Sequence, residues 1–89
     1  MEGEKAIVRY TAELSGVCAK KVQFVLFDNT IMSCEFTGGC NGNLKAISRL
    51  VHGKHISEIY TTLDGITCGS KNTSCADQFA KILAQILNV

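Results

Sequence analysis

K-V-Q-F-V-L-F-D-N-T-I-M-S-C-E-F-T, residues 21–37, places apolar side chains at every second position on either side of an Asp28-Asn29 pair. Before the pair they are Val22, Phe24 and Leu26; after it, Met32, Cys34 and Phe36. Side chains alternate between the two faces of a strand, so this spacing predicts strands over residues 21–27 and 30–37, each with one apolar face. Asp and Asn tolerate left-handed backbone better than most residues, which makes Asp28-Asn29 a tight hairpin turn. Met32, Cys34 and Phe36 then look into a core, and Ser33, Glu35 and Thr37 look away from it.

Upstream, residues 5–13 (K-A-I-V-R-Y-T-A-E) are rich in β-branched and aromatic types and read as another strand. Ala6, Val8, Tyr10 and Ala12 share one face; Ile7, Arg9 and Thr11 share the other. The run breaks at Ser15-Gly16, with Cys18 just beyond. Downstream the period changes. After Gly38-Gly39-Cys40-Asn41-Gly42-Asn43 come Leu44, Ile47, Leu50 and Val51 at helical spacing, with Asn41 or Asn43 to cap the start and Gly53 to end it. Ile56, Ile59, Tyr60 and Leu63 form a shorter stripe, capped by Ser57 and stopped at Gly65. A loop carrying Cys68 leads to Ser74, the expected cap of a last helix striped by Phe79, Ile82, Leu83, Ile86 and Leu87. Asp77, three residues past Ser74, completes an approximate capping box. The order is β-β-β-α-α-α. The expected fold is α+β: one domain over residues 1–89, a three-stranded antiparallel sheet with two to three helices on one face.

Composition narrows the function. The 89 residues carry a net charge of +1, with 46% hydrophobic and 19% charged residues. There is no electrostatic case for a nucleic-acid partner or an anionic membrane. No apolar run approaches the ~20 residues that cross a bilayer. Residues 1–5 are polar and lack a signal-peptide core, so the expected location is cytoplasmic, as a monomer or homodimer with an unspecified protein partner. Five cysteines in such a chain point to metal binding or thiol chemistry, since a reducing compartment disfavours disulfides. The odd count leaves at least one thiol outside any even-numbered set.

Position sorts the five. Cys40 follows two glycines at a strand-to-helix junction, where the backbone can bend sharply and a ligand can approach. Cys75 falls in the first turn of the last helix, where unpaired N–H groups suit a metal ligand or a nucleophile. Cys18 and Cys68 sit in loops, where cysteine has little packing reason to be. Four thiols at such positions match the count of a tetrahedral Cys₄ site, yet the spacing is not the paired C-x₂-C of a zinc ribbon. A redox thiol pair therefore stands beside the metal reading. Cys34, between Met32 and Phe36, reads as a small hydrophobe of the core. His52 and His55, flanking Gly53, read as solvated or facing a helix end rather than as ligands. Lys71 either favours thiolates at Cys68 and Cys75 or is merely solvated.

Several of these stretches resemble the TSCPD-domain family, in particular its small stand-alone four-cysteine bacterial proteins. They are F-T-G-G-C-N-G-N-L (residues 36–44), G-I-T-C-G (65–69), T-S-C-A-D-Q-F-A-K (73–81) and the shorter G-V-C (16–18). The family's cysteines fall on Cys18, Cys40, Cys68 and Cys75, and none falls on Cys34. Ala76 replaces the proline that gives the motif its name; alanine suits a first helical turn equally well. The same motif resembles the cysteine-rich tail of cobalamin-dependent ribonucleotide reductases, which implies metal binding or thiol relay. A more distant similarity, to IscU/NifU-type iron–sulfur scaffolds, puts Cys18, Cys40 and Cys75 at the three scaffold cysteine positions, with Cys68 as an addition.

Three expectations follow. Cys18, Cys40, Cys68 and Cys75 bind zinc or an iron–sulfur cluster, in a structural or carrier role and not a hydrolytic one. Alternatively Cys75 is a thiol-exchange nucleophile with Cys68 as its resolving partner. The third is a non-catalytic interaction module whose cysteines only stabilise the fold.

Overall fold

The computed structural model describes residues 6–39 and 41–89. Strands β1 (Ile7–Glu13), β2 (Ala19–Phe27) and β3 (Thr30–Gly38) form an antiparallel sheet in chain order. Helices α1 (Asn41–Val51), α2 (Ile56–Leu63) and α3 (Cys75–Leu87) follow. No described helix is long and apolar enough to cross a membrane.

The hairpin turn forms as its residues require, with Asp28 at φ 56° and Asn29 at φ 62°. Val22, Phe24 and Leu26 are buried, as their alternation demands. On β3 the alternation holds only in part. Val25 pairs with Ser33 but Leu26 pairs with Ile31, so a bulge inserts Met32 as an extra residue. Met32 is 45% exposed and Ile31 takes its place in the core, fully buried. The expected core position of Met32 is thus corrected, while Cys34 and Phe36 pack against the core from half-buried positions. A second register shift lies between Ala19 and Lys21, opposite Gly38 and Thr37. It turns Ala19 inward on the same side as Val22, at the mouth of the strand.

Phe79 ties the last helix to the sheet. Its ring meets Phe24 edge-on at 5.3 Å and Phe36 edge-on at 5.7 Å, and Phe24 stacks in turn on Tyr10 at 5.2 Å. Leu83, one turn further along α3, is also fully buried.

On α1, Leu44 and Val51 are buried and Ile47 half-buried, but Leu50 is 71% exposed. Leu50 belongs to the solvent side of the helix, a correction to the expected stripe. Gly53, at φ 81°, turns the chain back. Its N–H donates to Ile31 O at 2.8 Å, and Ile31 N–H donates to Lys54 O at 2.9 Å. The connection from α1 to α2 thereby pairs with the start of β3, and His55 bridges Thr30. That pairing moves the cap of α2. His55 is held extended, and its Nδ1, rather than the Ser57 side chain, accepts the Ser57 N–H at 3.1 Å. Ile56 can then begin the helix fully buried.

Candidate functional site

The site grows from the backbone of Ala19, the residue after Cys18. Its N–H donates to Cys75 Sγ at 3.4 Å, joining the start of β2 to the first turn of α3. Gly39, the residue before Cys40, lies against the same atom. A Cβ on Gly39 would stand 2.9 Å from Ala19 N and 2.8 Å from Leu44 Cδ1, on a backbone at φ +83°. Only glycine fits that conformation and that approach. Two chain neighbours of expected site cysteines therefore touch, and the sulfur of a third bonds to one of them. Cys40 itself lies outside the described residues.

The loop before α3 brings the fourth thiol. Cys68 N–H donates to Thr73 O at 3.2 Å and Lys71 N–H donates to Cys68 O at 3.0 Å, which closes residues 68–73 into a tight loop. Ser74 performs two tasks. As N-cap its Oγ accepts from Asp77 N at 3.0 Å, and its hydroxyl donates to Ile66 O at 2.7 Å. Cys18, Cys68 and Cys75 then line one cavity of about 400 Å³, with Lys71 at its wall and Leu44 and Ile47 of α1 behind it. Cys18 and Cys68 are exposed; Cys75 is half-buried.

Asp77, only 2% exposed, anchors this loop to the helix. Its Oδ1 accepts the Gly65 N–H at 2.7 Å and the Lys81 ammonium at 2.8 Å, and its Oδ2 accepts the Thr73 hydroxyl at 2.5 Å. The expected capping box is therefore half realised. Ser74 caps Asp77 N, but the carboxylate reaches the loop. Hydrogen bonds from Lys81 and then Thr73 outweigh burial and draw the carboxyl from an ordinary 3.8 down to about 2.

Cys34 is held elsewhere, between β3 and α1 and away from the thiol cavity. Burial pushes its thiol up to about 11, against a hydrogen bond with Ser48 that lowers it. It stays protonated at neutral pH. His52 and His55 are exposed and lie outside the thiol cavity.

Three of the four expected site cysteines are thus gathered at one cavity. No carboxylate or imidazole lines it; beside the three thiols, the type of ligand that zinc and iron–sulfur clusters take, its polar side chains are Asn43, Thr67, Lys71 and Ser74. Among the described residues, however, no group of three or more His, Cys, Asp and Glu is placed to hold a metal ion. The loop-anchoring role of Asp77 and the Ala19 N–H bond to Cys75 were not read from the sequence. The Gly38-Gly39 pair signalled a sharp bend and the approach of a ligand, and Asp77 read as a capping residue.

The TSCPD domain family model matches residues 4–87, nearly the whole chain, and the chain belongs to that family. No curated protein and no solved structure matches it, so the likeness to IscU/NifU-type scaffolds gains no support from comparison.

Proposed function

We propose that this TSCPD domain is a metal-binding module in which Cys18, Cys40, Cys68 and Cys75 hold zinc or an iron–sulfur cluster. The observation that carries the reading is the cavity that Cys18, Cys68 and Cys75 share, lined by no carboxylate or imidazole, with the Gly39 neighbour of Cys40 packed on Ala19. Cys18 and Cys68 are exposed on a bend and a loop, positions from which a thiol can close on an ion at small cost in packing. A four-thiolate set leaves no open position for water, so the ion would brace the loop or be carried rather than hydrolyse a substrate. The Ala19 N–H would stay bonded to Cys75 Sγ, the outer hydrogen bond that orients a ligand.

A second reading has its own support. Cys68 and Cys75 line the same cavity, the arrangement that passing a disulfide from one thiol to the other requires. In that case Cys75 attacks a partner disulfide, and Cys68 resolves the mixed disulfide.

Thermal unfolding of wild type and Cys75→Ser, each with and without chelator, separates the two. A metal ligand couples site formation to folding, so the metal reading predicts that chelator lowers the wild-type melting temperature and that Cys75→Ser lowers it too. A wild type indifferent to chelator, with an equally stable variant, would shift the assignment to thiol exchange.

A further inference from the structure

β3 is an edge strand, bonded to β2 on one side. On its other side only the start is occupied, where Thr30 and Ile31 pair with residues 53–55. From residue 33 to 37 that outer edge has no backbone partner among the described residues. Every second residue of an antiparallel edge turns its N–H and C=O outward, which makes a template for another strand. Proteins commonly blunt such edges with proline, bulges or a covering element. Here the bulge at Met32 precedes the free stretch, which itself runs along a groove.

The groove, about 720 Å³, lies between β3 and α1. Its helix wall carries Lys45, Arg49 and His52, spaced i, i+4, i+7 and so on one face. The α1 sequence, N-G-N-L-K-A-I-S-R-L-V, contains no acidic residue. Neither Lys45 nor Arg49 is ion-paired with another described residue. The strand wall presents Ser33 and Glu35, over half-buried Cys34 and Phe36.

We propose that this groove binds an extended acidic peptide segment of a partner protein, added to β3 as a fourth strand. Side chains of an added strand alternate between the helix side and the open side of the sheet. Those on the helix side meet Lys45, Arg49 and His52, so Glu or Asp fits there. Those on the open side lie beside Ser33, Glu35 and Thr37, where Thr or Lys fits and Lys answers Glu35. At about 3.3 Å per residue the free edge accommodates some five peptide residues. Backbone pairing supplies the affinity and the alternating charges supply the specificity. A nucleic acid would gain from Lys45 and Arg49 but would make no use of the strand edge, and Glu35 would repel it.

The probe is a blocked, fluorescein-labelled hexapeptide, E-T-E-K-E-T, whose binding to the full chain is read by fluorescence anisotropy. Two further versions carry backbone N-methyl groups at the odd or at the even positions. The hexapeptide should bind. Lys45→Glu and Arg49→Glu should each weaken it about tenfold or more, while Lys54→Glu, the same charge change outside the groove, should alter it by less than about twofold. One N-methylated version should fail and the other bind, because only alternate N–H groups face β3. Amide exchange at the alternate residues of 33–37 whose N–H groups face outward should slow in the complex. The proposal is overturned if the hexapeptide does not bind, if both N-methylated versions bind as well as the parent, or if a single-stranded oligonucleotide binds equally well with the same dependence on Lys45 and Arg49.

Discussion

A methyl group on Gly39 would collide with Ala19 N and Leu44 Cδ1 and force a side chain onto left-handed backbone. Gly39→Ala should therefore cost of the order of 2 kcal/mol in a urea titration, the scale of a strained non-glycine residue, and should push the start of β2 away from Gly39 and Leu44. Stability unchanged from wild type would mean that this contact positions nothing. Cys34 makes the opposite case. Its thiol, pushed up to about 11 by burial, should alkylate far more slowly at pH 8 than those of exposed Cys18 and Cys68. Cys34→Ala should cost about 1 kcal/mol, the price of a small cavity, and leave metal content untouched. Loss of metal in that variant would overturn the sorting of the cysteines. The inward face of Cys34 was legible in the sequence because it lies past the bulge, where Phe24 pairs with it in regular register. Met32, at the bulge itself, was not, since one inserted residue reverses the alternation and nothing in the side-chain pattern announces it.

At the scale of elements, α3 and its preceding loop behave as one unit because Asp77 joins them. Its carboxyl titrates lower in the folded chain, near 2, than the ordinary 3.8, so the folded state favours the charged form. The stability this contributes is fully present above pH 4 and is lost as the pH falls from about 4 toward 2. Asp77→Asn should lower the melting temperature at neutral pH and flatten its dependence on pH across that window. A variant with the same acid slope as wild type would show that another carboxylate carries the effect. Helix identities were readable from apolar spacing, and Ser74 and Gly53 from their capping chemistry. Ser57 and Leu50 misled for one shared reason. The 53–55 connection pairs with the start of β3, a contact distant in sequence, which fixes where α1 ends and α2 begins.

At the scale of the whole molecule, three loop or helix-start thiols line one cavity because the Ala19 N–H bond to Cys75 holds the start of β2 on α3 and the Asp77 anchor holds the 65–73 loop there. The placement of Cys18 and Cys68 in loops and Cys75 at a helix start was legible from local pattern. Their distance from one another was not, because it depends on tertiary contacts that local pattern cannot encode. The central claim is that these thiols share an ion. It is tested most directly by the metal and acid-labile sulfide content of protein purified anaerobically without chelator, measured by elemental mass spectrometry. The account predicts a stoichiometric metal in wild type and in Cys34→Ala, lost in Cys18→Ser, Cys68→Ser and Cys75→Ser. Metal-free wild type with all five thiols freely titratable, or metal that survives Cys75→Ser undiminished, would contradict it.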